Sequence, residues 1–252
     1  MSGVALVTGG ARRLGRAIAT GLARDGWRVA VHYHHSQGEA QNCVDEIRAA
    51  GGQAAAFQAD LRDETAIVAL VEAVTEGLGR IAVLVNNASL FVRDEALTAD
   101  RASWDAHMQI NLRAPLVLAQ QMAGRLGEGH RGNIVNIVDN RVWKLNPLFF
   151  SYTLSKAGLW TMTQTLAQAL APRIRVNAIG PGPTLPNQHQ DAPAFERERA
   201  ALPLERGPDP EEIVDAVRFC LASPSLTGQM IALDGGQHLA WKTPDVFAGQ
   251  GE

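Results

Sequence analysis

Residues 4–15, VALVTGGARRLG, decide the fold of this chain. The first four residues form a short, continuously apolar run, which is typical of a strand buried on both faces. The glycine turn that follows leads into a helical stretch from about Leu14 to Asp25, and Gly26 ends it. A strand, a glycine turn and a helix in this order predict the first βα unit of a parallel sheet.

The same alternation continues outward from this unit. Further strands are expected at 27–33, 54–58, 81–85, 132–138, 175–178 and 230–233, and further helices at about 38–50, 64–78, 101–126, 152–170 and 211–221. Short connections between them imply parallel pairing with right-handed crossovers. We therefore predict an α/β fold, a single doubly wound (Rossmann) domain over residues 1–240 with about seven parallel strands and helices on both faces. A proline-rich stretch at about 180–210 is expected to be an irregular substrate loop, and 241–252 a C-terminal tail.

Composition excludes several classes of protein. A length of 252 residues is enough for one such sheet. A composition with 46% hydrophobic and 19% charged residues is ordinary for a globular protein. The 23 basic and 26 acidic residues leave no basic surplus for nucleic acid. Cys43 and Cys220 lie far apart, which excludes a disulfide scaffold and fits a reducing compartment. No apolar run approaches the ~18 residues of a membrane span, and no leader precedes the first strand, so we expect a cytoplasmic protein without nucleic-acid or membrane partners.

The glycine turn carries the first indication of function. A dinucleotide pyrophosphate needs free backbone N–H groups at a helix N-terminus, and glycine lets the backbone approach it closely. The stretch lacks the GxGxxG spacing, so the alternative is a tight strand-to-helix turn that binds nothing.

Five motifs in order resemble the short-chain dehydrogenase/reductase family. The turn resembles that family's TGxxxGxG element, with Arg13 in place of the middle glycine. Asn-Asn-Ala at 86–88 follows the fourth strand, Asn111 lies in the long helix, YxxxK occupies 152–156, and an N…PG element spans 177–182. The resemblance runs from about residue 4 to Gly236 and implies a nicotinamide-dependent oxidoreductase. The cofactor-binding residues that it and the turn together predict are Gly9, Arg12, Arg13, Leu14, Gly15, His32, Tyr33, His34, His35, Ser36, Asp60, Leu61, Asn87, Ala88, Ser89, Lys156, Pro181 and Gly182.

The end of the second strand predicts which nicotinamide cofactor is used. A carboxylate there would bind the adenine ribose and repel a 2′-phosphate, but HYHHS at 32–36 has none, and the next is Glu39. Arg12 and Arg13 project from the neighbouring turn, and guanidinium, imidazole and hydroxyl groups suit a phosphate dianion. We therefore predict NADPH rather than NADH. The alternatives for HYHHS are a metal site, for which nearby Cys or carboxylate ligands are missing, and solvated polar residues; no metal is expected.

Tyr152 and Lys156 lie four residues apart, hence on one face of a helix. A close ammonium favours the phenolate, so we expect the pKa of the tyrosine to fall from about 10 towards 7. The resemblance makes Tyr152 the proton donor, places Lys156 on the nicotinamide ribose, and gives Asn111 the ordering of a proton-conducting water. Without that resemblance, a tyrosine and a lysine at this spacing would be interpreted as a chance pair on a helix surface.

Asp139 marks a departure from most of the family. Most members place a serine about thirteen residues before the tyrosine, whereas this chain has no Ser or Thr between Ser103 and Ser151, and the thirteenth residue back is Asp139. A carboxylate would repel the negative charge that grows on a ketone oxygen during reduction. It suits a substrate with N–H donors or a ring nitrogen that gains a proton. The alternative is that Asp139 caps a loop and a water replaces the serine.

Four features together resemble the pteridine reductase branch of the family and the related dihydromonapterin reductases. They are Arg-Leu-Gly at 13–15, HYH-x-S at 32–36, Asn-Ala-Ser at 87–89 with Phe91 two residues on, and Asp139 ahead of Tyr152 and Lys156. The resemblance implies reduction of a C=N bond of a pterin or dihydrofolate, with Phe91 stacking the substrate against the nicotinamide and Ser89 contacting cofactor and substrate. Without that context Phe91 would be read as plain core. Substrate-binding residues are thus expected to be Ser89, Phe91, Asp139 and Tyr152, and catalytic residues Asp139, Tyr152, Lys156 and Asn111.

Two alternatives remain open from the sequence. One is a carbonyl reductase of the same family, acting on a ketone or a 3-oxoacyl substrate; the other is a module that binds NADPH without turnover. His189 and Asp191 lie in the substrate loop, where substrate choice would be made. The resemblance also implies a homotetramer formed through the helices at 101–126 and 152–170, which are apolar beyond one face.

Overall fold

A parallel sheet of seven strands forms the centre of the computed structural model, which describes residues 3–187 and 190–241. The strands are β1 (Val4–Val7), β2 (Arg28–Tyr33), β3 (Gln53–Gln58), β4 (Ile81–Asn86), β5 (Gly132–Ile137), β6 (Ile174–Pro181) and β7 (Met230–Leu233). They lie in the order β3-β2-β1-β4-β5-β6-β7, and every pair is parallel. The predicted doubly wound α/β fold is confirmed.

Helices cover both faces of this sheet. They are α1 (Arg13–Arg24), α2 (Gln37–Ala49), α3 (Glu64–Leu78), α4 (Arg101–Met108), α5 (Ala114–Arg125), α6 (Phe150–Leu170), α7 (Ala192–Ala200) and α8 (Pro210–Ala222). The π-helical turn Gln109–Arg113 joins α4 to α5, and short 3₁₀ turns lie at Asn140–Val142 and Gln237–Leu239. Helices α1, α2 and α8 pack on one face, and α3, α5 and α6 pack on the other.

The burial of β1 explains its continuous apolar sequence. Ala5 and Val7 face the layer beneath α1 and α8, whereas Val4 and Leu6 face the layer beneath α3 and α5. All four side chains are fully buried. Since side chains alternate between the faces of a strand, a strand covered on both sides is apolar at every position.

Two expectations about the later part of the chain need correction. The stretch 180–210 is not irregular throughout, because it contains α7, whose N-terminus is capped by Asp191 accepting a hydrogen bond from the backbone N–H of Ala194 at 2.7 Å. The long helix predicted at 101–126 contains the π-helical turn. His189 and nearly all of the expected tail, from residue 242 onward, lie outside the described residues. Within the described part, no helix combines the length and the apolar character that crossing a bilayer requires.

The strand order positions the site. The chain runs outward from β1 to β3, then returns to β4 on the other side of β1. The carboxyl ends of β1 and β4 therefore meet at the point where the order reverses, which is where open α/β sheets bind ligands.

Candidate functional site

At two positions of the turn after β1, the backbone accommodates only glycine. Gly9 adopts φ +61°, and a Cβ on Gly15 would lie 2.1 Å from the carbonyl oxygen of Gly9. Asn87 follows β4 and donates its side-chain amide to the carbonyl of Thr8 at 2.9 Å, which joins the two strand ends. The result is a cradle of backbone at the N-terminus of α1, and this geometry suits a pyrophosphate.

A groove with a cavity volume of about 540 Å³ runs along this cradle. It passes the carboxyl ends of β1, β2 and β4. The predicted cofactor-binding residues that line it are Gly9, Arg12, Arg13, Leu14, Gly15, His32, Tyr33, His34, His35, Ser36, Asp60, Leu61, Asn87, Ala88 and Ser89.

His32 supports the turn from behind. Its side chain is buried, Nδ1 accepts a hydrogen bond from the backbone N–H of Gly9 at 3.0 Å, and Nε2 lies 3.2 Å from the carbonyl of Ala59. Burial lowers the pKa of His32 to about 4, so the ring is neutral near pH 7 and Nε2–H is the donor. Both ring nitrogens are occupied by protein groups. The expectation that this imidazole helps to hold a phosphate is therefore corrected: His32 acts through Gly9.

Arg13 stands where the family has the middle glycine of the turn, and its backbone adopts the left-handed conformation that favours glycine. Its φ is +53°, and its Nη2 donates to the carbonyl of Pro186 at 2.7 Å. The guanidinium therefore reaches the loop after β6, while Arg13 also lines the groove. Arg12 stays near α2, 3.8 Å from the carboxylate of Glu39.

Asp60 lies beside the histidines that follow β2. A two-pronged hydrogen bond from the Arg62 guanidinium holds the pKa of Asp60 down at about 2. His34 Nε2 is 3.5 Å from the same carboxylate, and the rings of His34 and His35 are 3.5 Å apart. This corner of the groove thus combines imidazoles, guanidinium groups and one ionised carboxylate.

A second cavity, of about 590 Å³, opens beside the groove at the carboxyl ends of β5 and β6. Arg13, Leu14, Asn87 and Ser89 line both spaces, so the two adjoin. The structure brings the remaining predicted residues together on its wall, with one exception, Asn111. They are Phe91, Asp139, Tyr152, Lys156, Pro181 and Gly182.

Asp139 and Tyr152 are in direct contact. The Tyr152 hydroxyl donates to Asp139 Oδ2 at 2.8 Å, while Oδ1 accepts from the backbone N–H of Arg141 at 2.8 Å. Asp139 therefore caps the 3₁₀ turn, as the alternative interpretation proposed, and also faces the phenol. The carboxyl group is held in place from both sides.

The expected lowering of the tyrosine pKa is wrong for the protein's own groups. Burial, together with the Asp139 carboxylate, raises the pKa of Tyr152 well above its ordinary value, because both disfavour the phenolate. Lys156 does not bond to the phenol: its Nζ donates to the carbonyl of Ile137 at 2.8 Å and lies 5.8 Å from the Tyr152 ring centre. Burial lowers the pKa of Lys156 to about 8.

Asn111 lies in the π-helical turn, and its amide is fully used by protein groups. Oδ1 accepts from the Leu90 N–H at 2.8 Å and the Ser89 hydroxyl at 3.2 Å; Nδ2 donates to the Leu90 carbonyl and the Ser155 hydroxyl, both at 3.0 Å. No polar atom of this amide is left over, so the side chain itself does not hold the water whose ordering the resemblance assigns to Asn111. It instead fixes the segment that carries Ser89 and Phe91.

His107 is a residue that the sequence reasoning missed. It lies four positions before Asn111, hence on the same helix face, and its Nε2 accepts from the Val92 N–H at 3.3 Å. Asn111 and His107 therefore hold the backbone on either side of Phe91. The i, i+4 spacing was visible in the sequence, but nothing there showed what the face contacts.

The buried carboxylate of Asp94 belongs to the same hydrogen-bond network as His107, which together with Asn111 forms a clamp on the backbone around Phe91. Asp94 accepts hydrogen bonds from the Ser103 hydroxyl at 2.6 Å, from the Ser151 N–H at 3.0 Å and from the Ser151 hydroxyl. The Ser151 oxygen also lies 2.7 Å from His107 Nδ1. Ser151 directly precedes Tyr152, so one network positions both the phenol and the Phe91 segment.

Phe149 and Arg141 were also missed. The Phe149 ring stacks on Phe91 at 4.1 Å, and Tyr152 meets Phe91 edge-on at 4.7 Å. Phe149 has φ +57°, an unfavourable backbone for a bulky side chain, and such strain is concentrated at functional sites. The Arg141 guanidinium lies 5.3 Å from the Phe149 ring centre and 6.0 Å from that of Phe91. The site therefore has an aromatic floor beside the Asp139–Tyr152 pair.

Among the described residues, no three His, Cys, Asp or Glu side chains are grouped closely enough to hold a metal ion.

The chain is similar to known proteins over nearly its whole length. The family model described as short chain dehydrogenase matches residues 3–196. A 3-oxoacyl-[acyl-carrier-protein] reductase from Synechocystis is 34% identical over 237 residues, which cover 92% of this chain and 96% of the relative. A crystal structure of FolM alternative dihydrofolate reductase 1 from Brucella canis, complexed with NADP, is 52% identical, covers 97% of each chain and has a TM-score of 0.95. A blue fluorescent protein from a metagenomic library, in complex with NADPH, is 32% identical, with a TM-score of 0.86 and coverage of 93% of this chain and 97% of that one.

The family match, the seven-stranded parallel sheet and the grouping of the Tyr-x-x-x-Lys pair beside the glycine cradle agree with one another. The chain belongs to the short-chain dehydrogenase/reductase family of oxidoreductases.

Proposed function

We propose that the protein is an NADPH-dependent reductase that acts on a C=N bond of a pterin-like substrate, a dihydropterin or a dihydrofolate. The observation that carries the proposal is the Asp139 carboxylate, 2.8 Å from the Tyr152 hydroxyl, in the place where most of the family has a serine. The 52% identity with a FolM alternative dihydrofolate reductase complexed with NADP supports the substrate class and the cofactor.

The residues of the groove fit a dinucleotide. The cradle around Gly9 and Gly15 leaves no space for a side chain, and the groove carries Arg12, His34 and His35, with no carboxylate at the end of β2 itself. When bound, NADPH supplies the hydride that is transferred to a ring carbon. The chain's own residues hold the substrate, orient it and provide the proton.

Tyr152 provides that proton to the ring nitrogen next to the reduced carbon. Its raised pKa keeps the phenol protonated at neutral pH. A nitrogen that gains electron density as the carbon accepts hydride becomes strongly basic, so a weak acid held at hydrogen-bond distance suffices. The buried Lys156 ammonium lies close enough to the Tyr152 ring to stabilise the phenolate that remains.

Asp139 and Phe91 orient the substrate. The carboxylate accepts hydrogen bonds, so it favours a heterocycle that presents N–H groups and disfavours a carbonyl oxygen on which negative charge grows. The Phe91 ring provides a flat apolar surface for a heterocycle. Ser89 lies between the groove and the second cavity and lines both.

A second candidate, a carbonyl reductase, is favoured by the 34% identity with a 3-oxoacyl-[acyl-carrier-protein] reductase. The test is NADPH oxidation by the purified protein with dihydrobiopterin, dihydrofolate, a 3-oxoacyl thioester and a small ketone. We expect turnover of the pterins and little of the carbonyl compounds. Turnover of the carbonyl compounds alone overturns the proposal, and tight NADPH binding without any turnover identifies a non-catalytic binding module.

We also propose a homotetramer that resides in the cytoplasm. Leu112, Leu116 and Met162, on the π-helical turn, α5 and α6, share a cavity on the outer surface, where a second copy would cover them. Cys43 and Cys220 are both free and buried, as in a reducing compartment. Light scattering on the purified protein and fractionation of cells test these two statements; a monomer contradicts the first, and a secreted protein the second.

A further inference from the structure

The wall of the substrate cavity has an excess of positive charge. The charged residues that line it are the cations Arg13, Arg141, Lys144 and Lys156 and the acids Asp139 and Glu198. Both acids are engaged: Asp139 by Tyr152 and the turn, and Glu198 by the side-chain amides of Gln190 and Gln237. An anionic group is therefore favoured in this space.

Two of the cations are engaged inside the site. Lys156 donates to the Ile137 carbonyl, and Arg13 donates to the Pro186 carbonyl. Arg141 and Lys144 lie on the segment that follows Asp139, and like the other two cations they form no ion pair with any carboxylate of the described residues. The remaining positive charge of the wall thus comes from the segment that follows Asp139.

The Arg141 guanidinium is held in one orientation. Its Nη1 donates to Asn146 Oδ1 at 3.0 Å and to the Leu148 carbonyl at 3.1 Å, and its Cζ lies 5.3 Å from the ring centre of Phe149 and 6.0 Å from that of Phe91. The described residues supply no acceptor for Nη2 or Nε. A guanidinium fixed by one nitrogen, with donors left on the others, is preorganised for a planar anion such as a carboxylate.

The position of Arg141 relates this cation to the substrate. It lies 6.0 Å from the centre of the Phe91 ring, the proposed platform for the heterocycle. Lys144 is three residues further along and exposed, and Leu145 beside it is 71% exposed. The wall of the cavity that holds the platform therefore carries two cations and an apolar side chain.

We propose that Arg141 and Lys144 form a subsite for the carboxylates of a p-aminobenzoylglutamate tail, so that the enzyme favours dihydrofolate over dihydropterins with an uncharged side chain. This inference rests on the proposed function. In dihydrofolate an aromatic ring and a glutamate with two carboxylates extend from the pterin, so the tail supplies one apolar group and two anions for the apolar side chain and the two cations of the wall. A dihydropterin with a hydroxylated alkyl chain has no anion to place there.

The experiment compares dihydrofolate with dihydrobiopterin in the wild type, Arg141→Gln, Lys144→Gln and the double variant. Arg131→Gln is the control, because Arg131 is exposed and outside both cavities. We expect each single variant to raise the KM for dihydrofolate roughly tenfold, the lower end of the range for loss of one hydrogen bond to a charged group. For Lys144→Gln the KM for dihydrobiopterin and the Kd for NADPH should change less than about twofold. For Arg141→Gln the KM for dihydrofolate should rise several times more than the KM for dihydrobiopterin, and Arg131→Gln should change none of the three values.

The outcomes separate this inference from the proposed function. If the wild type reduces both pterins and the variants raise both KM values equally, or neither, the subsite is wrong and the proposed function stands. If the wild type reduces neither pterin, both fail. Equilibrium binding of free p-aminobenzoylglutamate provides a readout without turnover: we expect the wild type to bind it more tightly than the double variant, and equal affinity contradicts the subsite.

Discussion

Replacing Asp139 by asparagine separates its charge from its role in the turn. The asparagine Oδ1 retains an acceptor for the Arg141 N–H, which Asp139 now binds at 2.8 Å, and the side chain keeps nearly the same volume. The Tyr152 hydroxyl, which donates to Oδ2 at 2.8 Å, loses a charged acceptor. The variant therefore tests the carboxylate and leaves the cap in place.

The hydrogen bond gives the expected magnitude. A hydrogen bond to a charged group contributes about 1.5–3 kcal/mol, and about 1.4 kcal/mol corresponds to a factor of ten in rate. We therefore expect Asp139→Asn to lower kcat/KM for dihydrobiopterin by roughly 10- to 150-fold. Because the carboxylate also helps to raise the pKa of Tyr152, its removal should lower that pKa.

The assay is steady-state NADPH oxidation, with the Kd for NADPH measured separately by nucleotide fluorescence. Asp139→Ser, which restores the family's usual hydroxyl, should likewise weaken pterin reduction more than cofactor binding. The reasoning is refuted if Asp139→Asn keeps full pterin activity. Equal losses of activity and of NADPH affinity would mean that Asp139 is only structural.

Three other substitutions test the rest of the site. Phe91→Leu should raise the KM for dihydrobiopterin about two- to tenfold, as for loss of one aromatic stack; an equal rise in the Kd for NADPH would contradict this role. His107→Leu leaves the Val92 N–H without its acceptor, so the free energy of unfolding should fall by about 1–3 kcal/mol and kcat/KM should fall with it, whereas His107→Gln should recover part of both; identical behaviour of the two variants argues against the clamp. His32 has a pKa of about 4 when folded and about 6.5 when unfolded, so the unfolded chain binds more protons between these values. Its contribution to stability is complete above pH 6.5 and falls by up to about 1.4 kcal/mol per pH unit on acidification to pH 4. Urea unfolding across this range should show a shallower pH dependence for His32→Gln than for the wild type, and parallel curves would contradict the assignment.

Local patterns in the sequence predicted the fold well. The apolar run of β1, the glycine turn and the alternation of strands with helices are signals carried by neighbouring residues. They determine which face of an element is buried, and hence the sheet. The helix α7 was missed because prolines on either side suggested a loop, although Asp191, followed by Pro193 in the first turn, is a helix start signal.

The composition of the site could be predicted, but its internal contacts could not. Tyr152 and Lys156 share a helix face by spacing alone, yet Lys156 donates to Ile137 on β5, nineteen residues away. The raised pKa of Tyr152 depends on its burial and on the direction in which Asp139 points. Such properties follow from packing between distant segments, which a single sequence does not specify.

The same reason applies to the groups that hold Phe91. His107 and Asn111 are recognisable as one helix face, but the segment that this face contacts lies after β4, on another element. Phe149 lies at an unfavourable φ that no composition signal indicates. Residues that act by positioning others are therefore the ones that the sequence left unassigned.

A crystal structure of the ternary complex with NADP⁺ and a dihydropterin tests directly whether Asp139 contacts the bound heterocycle. We expect an Asp139 carboxylate oxygen within hydrogen-bond distance of an N–H of the heterocycle, with the Phe91 ring stacked on its face and the Tyr152 hydroxyl at the reduced bond. A complex in which the carboxylate turns away from the bound ring, and only Tyr152 contacts the substrate, would contradict the selection of a nitrogen heterocycle by this acid.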